Sequence, residues 1–148
     1  MEIVGLPLHP LAVHAAVVLT PLAALVALAY LVPRWRDRLR WPLLVAALVA
    51  VGSVGLAYLS GRDFRDSDRF ATVAGELADK LQTHEDLGTY LLWWTIAFGV
   101  VAVLNAVIHP DRLWARWLLG VLLAVDAVVV VVIVVVTGHS GSEAVWGL

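Results

Sequence analysis

Histidines are the residues of this chain with the most distinctive chemistry. Five occur in 148 residues, and four of them lie at or near the ends of long apolar runs: His9, His14, His84 and His139. Neutral imidazole nitrogens ligate haem iron and transition metals. The chain has no cysteine, which excludes thiolate metal sites, iron–sulfur clusters and haem attached through Cys-x-x-Cys-His. What the imidazoles bind is therefore the functional question.

The elements that must position these histidines are apolar. Hydrophobic residues make up 61% of the chain and charged residues only 15%, which is too apolar for a soluble domain of this length. The net charge is −2 and no basic patch is present, so a nucleic-acid partner is not expected. We predict a single integral membrane domain over residues 1–148, with the lipid bilayer as its surroundings.

The apolar runs predict an all-α fold, a four-helix transmembrane bundle. Its helices are expected at about 11–32, 42–59, 87–108 and 117–137. The first run of about 22 residues is enough to cross a hydrocarbon core of roughly 30 Å at about 1.5 Å per residue. Pro10 suits the first turn of helix one, and Pro33 is expected to close that helix.

Charge predicts the orientation of the bundle. Segments 34–40 and 111–116 are rich in arginine, and the positive-inside rule makes both loops cytoplasmic. The protein is then a multi-pass protein of the bacterial inner (plasma) membrane with both termini outside, N-out and C-out. A group of interfacial tryptophans is consistent with the inner boundary: Trp35, Trp41, Trp114 and Trp117.

The polar segment between helices two and three, residues 60–83, carries its own periodic pattern. Four apolar residues recur there at helical spacing after a plausible cap at Ser67 or Asp68, and they are Phe70, Val73, Leu77 and Leu81. This predicts a short amphipathic helix in the outer loop, lying on the bundle or at the interface.

The predicted topology places four histidines, His9, His14, His84 and His139, at one outer level. His109 alone faces the cytoplasm, and we interpret it as a loop residue. His9 and His14 are five residues apart, about 140° around a helix, so each is expected to pair with a group from another helix. His14 carries the most weight, because it lies about one turn inside the apolar run, where an imidazole needs a partner.

Two kinds of ligand fit these residues. Haem b needs one or two neutral imidazoles from facing helices, an apolar slot and glycines beside the macrocycle, for which Gly88, Gly138 and Gly141 are candidates. A Zn or Cu ion needs three imidazoles, or two and a carboxylate. Glu85, Asp86 and Asp63 are available for that. The alternative is that no cofactor binds and the histidines serve as interfacial hydrogen-bonding groups.

Asp126 is a separate candidate site. It lies about nine residues into helix four, close to the membrane midplane, where a carboxylate must be protonated or partnered. Thr20, Ser53 and Thr95 fall at a similar depth, so an Asp-centred layer of hydrogen bonds is predicted. Its role is either structural or a step in a proton relay.

Three motifs together resemble a bacterial family of predicted membrane proteins labelled domain of unknown function 2231. They are His9-Pro-Leu-Ala-Val-His14, the His84 that opens helix three, and Gly138-His-Ser-Gly141. The resemblance implies about four helices and carries over His9, His14, His84 and His139. Some relatives are joined to cytochrome-c-like modules, which implies redox work at the outer face. The His-x-x-x-Gly element is also similar to one in small membrane-bound cytochromes b.

The chain departs from the family pattern at two places. Ala15 and Ala16 stand where the family often has Phe-Pro, and Ser142 stands where a second glycine is usual. The first departure would enlarge a pocket beside His14, and the second affects the backbone of the tail.

The functional hypothesis from the sequence is an outer-face histidine cluster that binds haem b or a metal ion for electron transfer. In it, His14 with His84 or His139 would ligate iron. The partner hypotheses are an external redox protein and a homo-oligomer. A cofactor-free membrane scaffold and a divalent-metal binding or transport protein are the alternatives, and enzymatic activity is left open.

Overall fold

The computed structural model describes residues 2–3, 6–66 and 73–146. Its helices are α1 (Leu8–Tyr30), α2 (Arg36–Arg65), α3 (Glu76–Ile108) and α4 (Leu113–Trp146). Two short antiparallel strands, β1 (Glu2–Ile3) and β2 (Leu6–Pro7), precede α1. All four helices are long and apolar enough to cross a membrane, which confirms the predicted all-α chain with four spanning helices.

The helices extend beyond the predicted limits. The third begins at Glu76 rather than near 87, and the fourth continues to Trp146 rather than ending at 137. The second runs over 30 residues, about 45 Å, against roughly 30 Å of hydrocarbon. Apolarity marks only the part of a helix inside the hydrocarbon. A helix ends where a helix-breaking or capping residue interrupts its backbone hydrogen bonds. The polar residues that follow the apolar runs do not interrupt these bonds, so the helices continue.

The predicted amphipathic helix in the α2–α3 connection is not supported as a separate element. Leu77 and Leu81 belong to the first turns of α3, and Val73 precedes that helix in irregular backbone. The suggested cap at Ser67 or Asp68 and the residue Phe70 lie outside the described residues. The helical spacing was therefore informative for Leu77 and Leu81, which extend the spanning helix.

The four helices pack in a closed ring. Extensive contacts join α1 to α2, α2 to α3, α3 to α4 and α4 back to α1, so α1 and α3 face each other across a diagonal. Small buried residues allow the backbones to approach closely, among them Ala24, Ala27, Ala47, Ala50, Ala102 and Ala127. Large apolar side chains cover the outside of the bundle, as a surface in contact with lipid requires.

Both tight turns, residues 31–35 and 109–112, lie at one end of the bundle, which we call the turn end. Polar groups fasten the helices there. The Tyr30 hydroxyl donates to the Asn105 carbonyl at 3.0 Å, and an Arg36 guanidinium nitrogen donates to the Pro110 carbonyl at 3.0 Å. Asn105 also joins α3 to α4, because its side-chain nitrogen donates to the Leu119 carbonyl at 3.1 Å.

His109 is more than a loop residue. It caps the end of α3 in the left-handed backbone region, with φ of +43°. Its Nε2 lies 3.0 Å from an Asp37 carboxylate oxygen, and its Nδ1 lies 3.3 Å from the Tyr30 hydroxyl. Both ring nitrogens are thus engaged, and the side chain ties the two turns together.

Candidate functional site: two imidazoles at the open end of the bundle

The other end of the bundle, where α1 and α3 begin and α2 and α4 finish, is the histidine end. His9 is the second residue of α1, and His84 lies in the third turn of α3. Their ring centres are 6.4 Å apart, with the ring planes inclined at 72°. Diagonally opposed helices therefore bring two half-buried imidazoles together, with the edge of one ring toward the other.

The hydrogen bonding of His9 fixes its tautomer. Its Nδ1 lies 3.0 Å from the Ala57 carbonyl oxygen. A carbonyl can only accept, so Nδ1 carries the proton and Nε2 of the neutral ring keeps its lone pair. Phe64 stacks against the same ring with centroids 6.1 Å apart, which holds its orientation. A backbone carbonyl on one ring nitrogen is the usual support of a histidine that ligates metal through the other.

His84 is held in the same way through a serine. The Ser140 hydroxyl donates to the Thr137 carbonyl at 2.9 Å, which leaves its oxygen to accept from His84 Nδ1 at 3.0 Å. The Nδ1 of His84 is therefore also protonated, and its Nε2 is the free nitrogen. Within the described part of the chain, neither Nε2 has a hydrogen-bond partner.

Two glycines seat the rings. A Cβ atom at Gly61 would lie 2.9 Å from Cε1 of His9, and a Cβ at Gly141 would lie 2.9 Å from Cε1 of His84. Both distances are shorter than carbon atoms tolerate, so any other residue at either position would push the imidazole aside. Glycine at these two places is a packing requirement of the histidine pair.

The imidazoles open into a cavity of about 880 Å³ that is lined by all four helices. This volume is within the range of about 300–1,000 Å³ of small-molecule and cofactor sites. Its walls are mostly apolar, including Val13, Val54 and Leu91. Its polar lining includes Arg62 and Arg65 of α2, the latter 3.3 Å from a Glu85 carboxylate oxygen of α3.

The structure separates the other histidine candidates from this pair. His14 lines the cavity but is exposed, and its Nδ1 donates to the Pro10 carbonyl of its own helix. His139 is at the same end, yet its side chain is 71% exposed on α4, and its Nε2 lies 3.4 Å from Glu143. His139 does not line the cavity.

The three candidate glycines also differ. Gly88, Gly138 and Gly141 all line the cavity as helical residues. Nothing lies within 4 Å of a Cβ built on Gly88, and only Val17 approaches Gly138, at 3.9 Å. Gly141 alone of the three packs against an imidazole. The predicted end of the fourth helix in this segment is wrong, because α4 continues through it.

The described residues assemble no site for a bare metal ion. Over residues 6–66 and 73–146, no three side chains of histidine, aspartate or glutamate come together to hold an ion. Glu85 lies next to His84 in sequence, but its carboxylate pairs with Arg65. Within these ranges the arrangement offers two adjacent imidazole ligands and no third protein ligand beside them.

Asp126 is buried in mid-bundle at 8% exposure. Among the described residues, no hydrogen bond joins Asp126 to the three hydroxyls of the predicted layer. Ser53 and Thr95 donate to carbonyls of their own helices, at Ala50 and Leu91, and among the described residues the buried Thr20 hydroxyl has no partner. Hydroxyls inside a helix reach the carbonyl one turn earlier more easily than a neighbouring helix.

Sequence reasoning missed the residues that hold the imidazoles. Gly61, Ser140 and the carbonyl of Ala57 received no role, although Ser-Gly occurs at both 60–61 and 140–141. The repeated dipeptide, each copy near the end of an apolar run, was the signal that could have found them.

The comparisons with known proteins give a family. A family model described as a predicted membrane protein (DUF2231) matches residues 5–148. No curated protein and no solved structure matches the chain.

Proposed function

We propose that this chain, which belongs to the DUF2231 family of predicted membrane proteins, binds one haem b between the Nε2 atoms of His9 and His84. The observation that carries the proposal is the state of the two rings. Each has its Nδ1–H engaged and its Nε2 free at a shared cavity. Second-shell bonds of this kind orient an imidazole and raise its basicity toward iron.

The number of protein ligands favours haem over a bare ion. A porphyrin would itself supply four nitrogen ligands to iron, so His9 and His84 would be the only protein ligands that it needs. Zinc and copper sites use three or four protein ligands, and the described residues assemble only two. If the Nε2 atoms of His9 and His84 bound one iron at about 2 Å each, the two bonds and the distance from each ring centre to its Nε2 would add up to a length close to the observed 6.4 Å between ring centres.

The cavity is consistent with an amphipathic macrocycle. Its apolar walls suit the porphyrin face, and Arg62 and Arg65 at its margin suit the two carboxylates of haem. Helical Gly88 and Gly138 leave space along the wall, because nothing crowds them closely.

Electron transfer is the role that we propose for the site. When bound, haem b supplies a one-electron Fe(III)/Fe(II) couple. The arginines of both tight turns favour a cytoplasmic turn end, which would put the histidine end outside a bacterial inner membrane. From there the site would exchange electrons between the membrane pool and an external redox protein.

The test is a visible spectrum of the full chain, purified in mild detergent, supplemented with haemin, and compared before and after dithionite. We expect wild-type protein to give the sharp reduced α band of a six-coordinate, low-spin haem. H9A and H84A should each lose that signature, because each removes one axial nitrogen. Circular dichroism of every variant checks that the helices remain.

H14A and H139A are the discriminating variants, since His14 lines the cavity and His139 lies at the same end outside its lining. Retention of the low-spin spectrum in both supports the pair His9 and His84, and its loss in either favours the ligand set expected from sequence. A blank spectrum from folded, haemin-supplemented wild type overturns the proposal. Elemental analysis that finds zinc or copper in that protein would then indicate a metal site. If neither metal is found, the result would indicate a cofactor-free scaffold.

A further inference from the structure

The burial pattern of α1 recurs in α3 at a constant spacing of 75 residues. Thr20 corresponds to Thr95, both fully buried, and Ala27 corresponds to Ala102. Four further pairs of buried positions share this spacing: Ala16 with Leu91, Ala23 with Phe98, Ala24 with Gly99, and Tyr30 with Asn105.

Helices α2 and α4 show the same relation at a spacing of 80 residues. Their core positions are Leu43, Ala47, Ala50 and Val54 in α2, and Leu123, Ala127, Val130 and Val134 in α4. Three of these four pairs are identical residues. The two spacings differ by five residues because the helices beside the second turn are longer. α3 continues three residues past Asn105, the equivalent of Tyr30, and α4 begins three residues before Arg116, the equivalent of Arg36, while the turn itself is one residue shorter.

The packing of the helices indicates that a rotation relates the two repeated pairs. In the closed ring, exchanging α1 with α3 and α2 with α4 leaves every neighbouring contact in place. The operation is a two-fold rotation about the bundle axis, and it relates the hairpin of α1 and α2 to the hairpin of α3 and α4.

The elements of the histidine site obey the same rotation. His9 and His84 are 75 apart, and Ser60-Gly61 and Ser140-Gly141 are 80 apart. Each serine donates to the carbonyl three residues earlier, Ser60 to Ala57 at 3.1 Å and Ser140 to Thr137 at 2.9 Å. The equivalent carbonyls of Ala57 and Thr137 lie beside the His9 and His84 rings.

The remaining candidates break the rotation. The position equivalent to His14 is Thr89, and the position equivalent to His139 is Leu59. Among the histidines, therefore, the repeat contains only the pair that meets at the axis.

We infer that the chain is two copies of one helical hairpin, and that its ligand sits on the pseudo-two-fold axis, held by one imidazole seated on one glycine from each half. This assignment rests on the proposed function for the identity of the ligand. The ligand class that fits is one coordinated equally from two opposite sides, as a six-coordinate metalloporphyrin is. Gly61 and Gly141 are the positioning residues, since each acts through the ring that it supports.

The first experiment tests the rotation without any ligand. Because the chain has no cysteine, spin labels can be placed in pairs at exposed positions: L25C/V128C, and its rotated counterpart L48C/V100C. Pulsed electron–electron double resonance in detergent should give the same distance distribution for both labelled pairs. Clearly different distributions overturn the two-fold relation.

The second experiment tests the ligand on the axis. G61A and G141A should weaken haem binding by similar factors, about 10- to 100-fold, because each displaces one axial ring. G55A is the matched control in α2, where nothing lies within 4 Å of the added Cβ. It should bind like wild type.

The outcomes separate the two proposals. Equal losses in G61A and G141A support the assignment. A large loss in one variant and none in the other places the ligand off the axis and overturns it, while wild type still binds haem. Failure of wild type to bind haem sinks the proposed function and the ligand assignment together, whereas the spin-label distances judge the repeat alone.

Discussion

The two ends of the bundle use histidine in opposite ways. At the turn end, His109 has both ring nitrogens engaged, by Tyr30 and Asp37, and it joins the two turns. At the histidine end, His9 and His84 have one nitrogen engaged and the other free at a cavity. A fully bonded polar group is structural, and a half-bonded one of fixed tautomer is ready to bind something.

Arginine shows the same difference. Arg36 at the turn end is 8% exposed, donates to the Pro110 carbonyl and lies with its guanidinium 5.7 Å from the Tyr30 ring centre. Arg62 at the histidine end is exposed at the cavity margin. Arg36 therefore joins helices, whereas Arg62 faces the space where a ligand would lie. Arg65, also at the histidine end, joins α2 to α3 through Glu85.

The largest stability effect is expected for R36A. The substitution leaves the buried Pro110 carbonyl without its donor and removes the contact with the Tyr30 ring. We expect a loss of about 1–3 kcal/mol in unfolding free energy, measured by thermal unfolding in detergent. R62A, on the same helix at the other end, should change stability by less than about 0.5 kcal/mol. Equal losses would remove the distinction between the ends.

A smaller loss, about 1 kcal/mol, is expected for H109A. Alanine removes both hydrogen bonds and adopts the left-handed backbone at φ of +43° less readily than histidine does. H109N should retain more stability, because asparagine adopts that conformation more readily. H84A in haem-free protein should lose less than H109A, since Ser140 keeps its bond to Thr137. A greater loss of stability in H84A than in H109A would assign a structural role to His84 at the histidine end.

The smallest effects are expected midway between the ends, at two equivalent threonines. Thr20 is fully buried, and its hydroxyl finds no partner among the described residues, while Thr95 donates to the Leu91 carbonyl at 2.7 Å. T20V should leave the unfolding midpoint unchanged or slightly raised, because no bond is lost. T95V should lower stability by at most about 1 kcal/mol. A clear loss in T20V would show that this hydroxyl has a partner.

Much of the fold could be predicted from the sequence. Uncharged runs of about 20 residues predicted four spanning helices, and the structure has four. The helix ends could not be predicted in the same way. Thr83 to Asp86 and Gly138 to Gly141 are polar or flexible and were placed in loops, yet they continue α3 and α4. Hydropathy indicates where a helix leaves the hydrocarbon core. The helix itself ends at a different position, where its backbone hydrogen bonds stop.

The candidate site was predicted only as a group of histidines at one end. Sequence position favoured His14, because it is deepest in the first apolar run. In the structure His14 lines the cavity from an exposed position and bonds to its own helix, and the ring that lies against His84 is that of His9. Rotation about a helix axis decides which of two residues five apart faces the bundle centre, and this rotation is set by how the neighbouring helices pack.

The sequence by itself determined that this chain is a membrane protein with four helices, because the hydropathy of each residue and the length of each apolar run can be read without knowing which residues are in contact. It also determined that any cofactor must be bound without cysteine, because the chain has none. Only the tertiary structure decided which imidazoles meet, which nitrogen of each is free, and that Gly61 and Gly141 support them. Those properties depend on distances between atoms on different helices. Close packing of alanine-rich faces fixes these distances, and the hydropathy of a single helix contains no information about them.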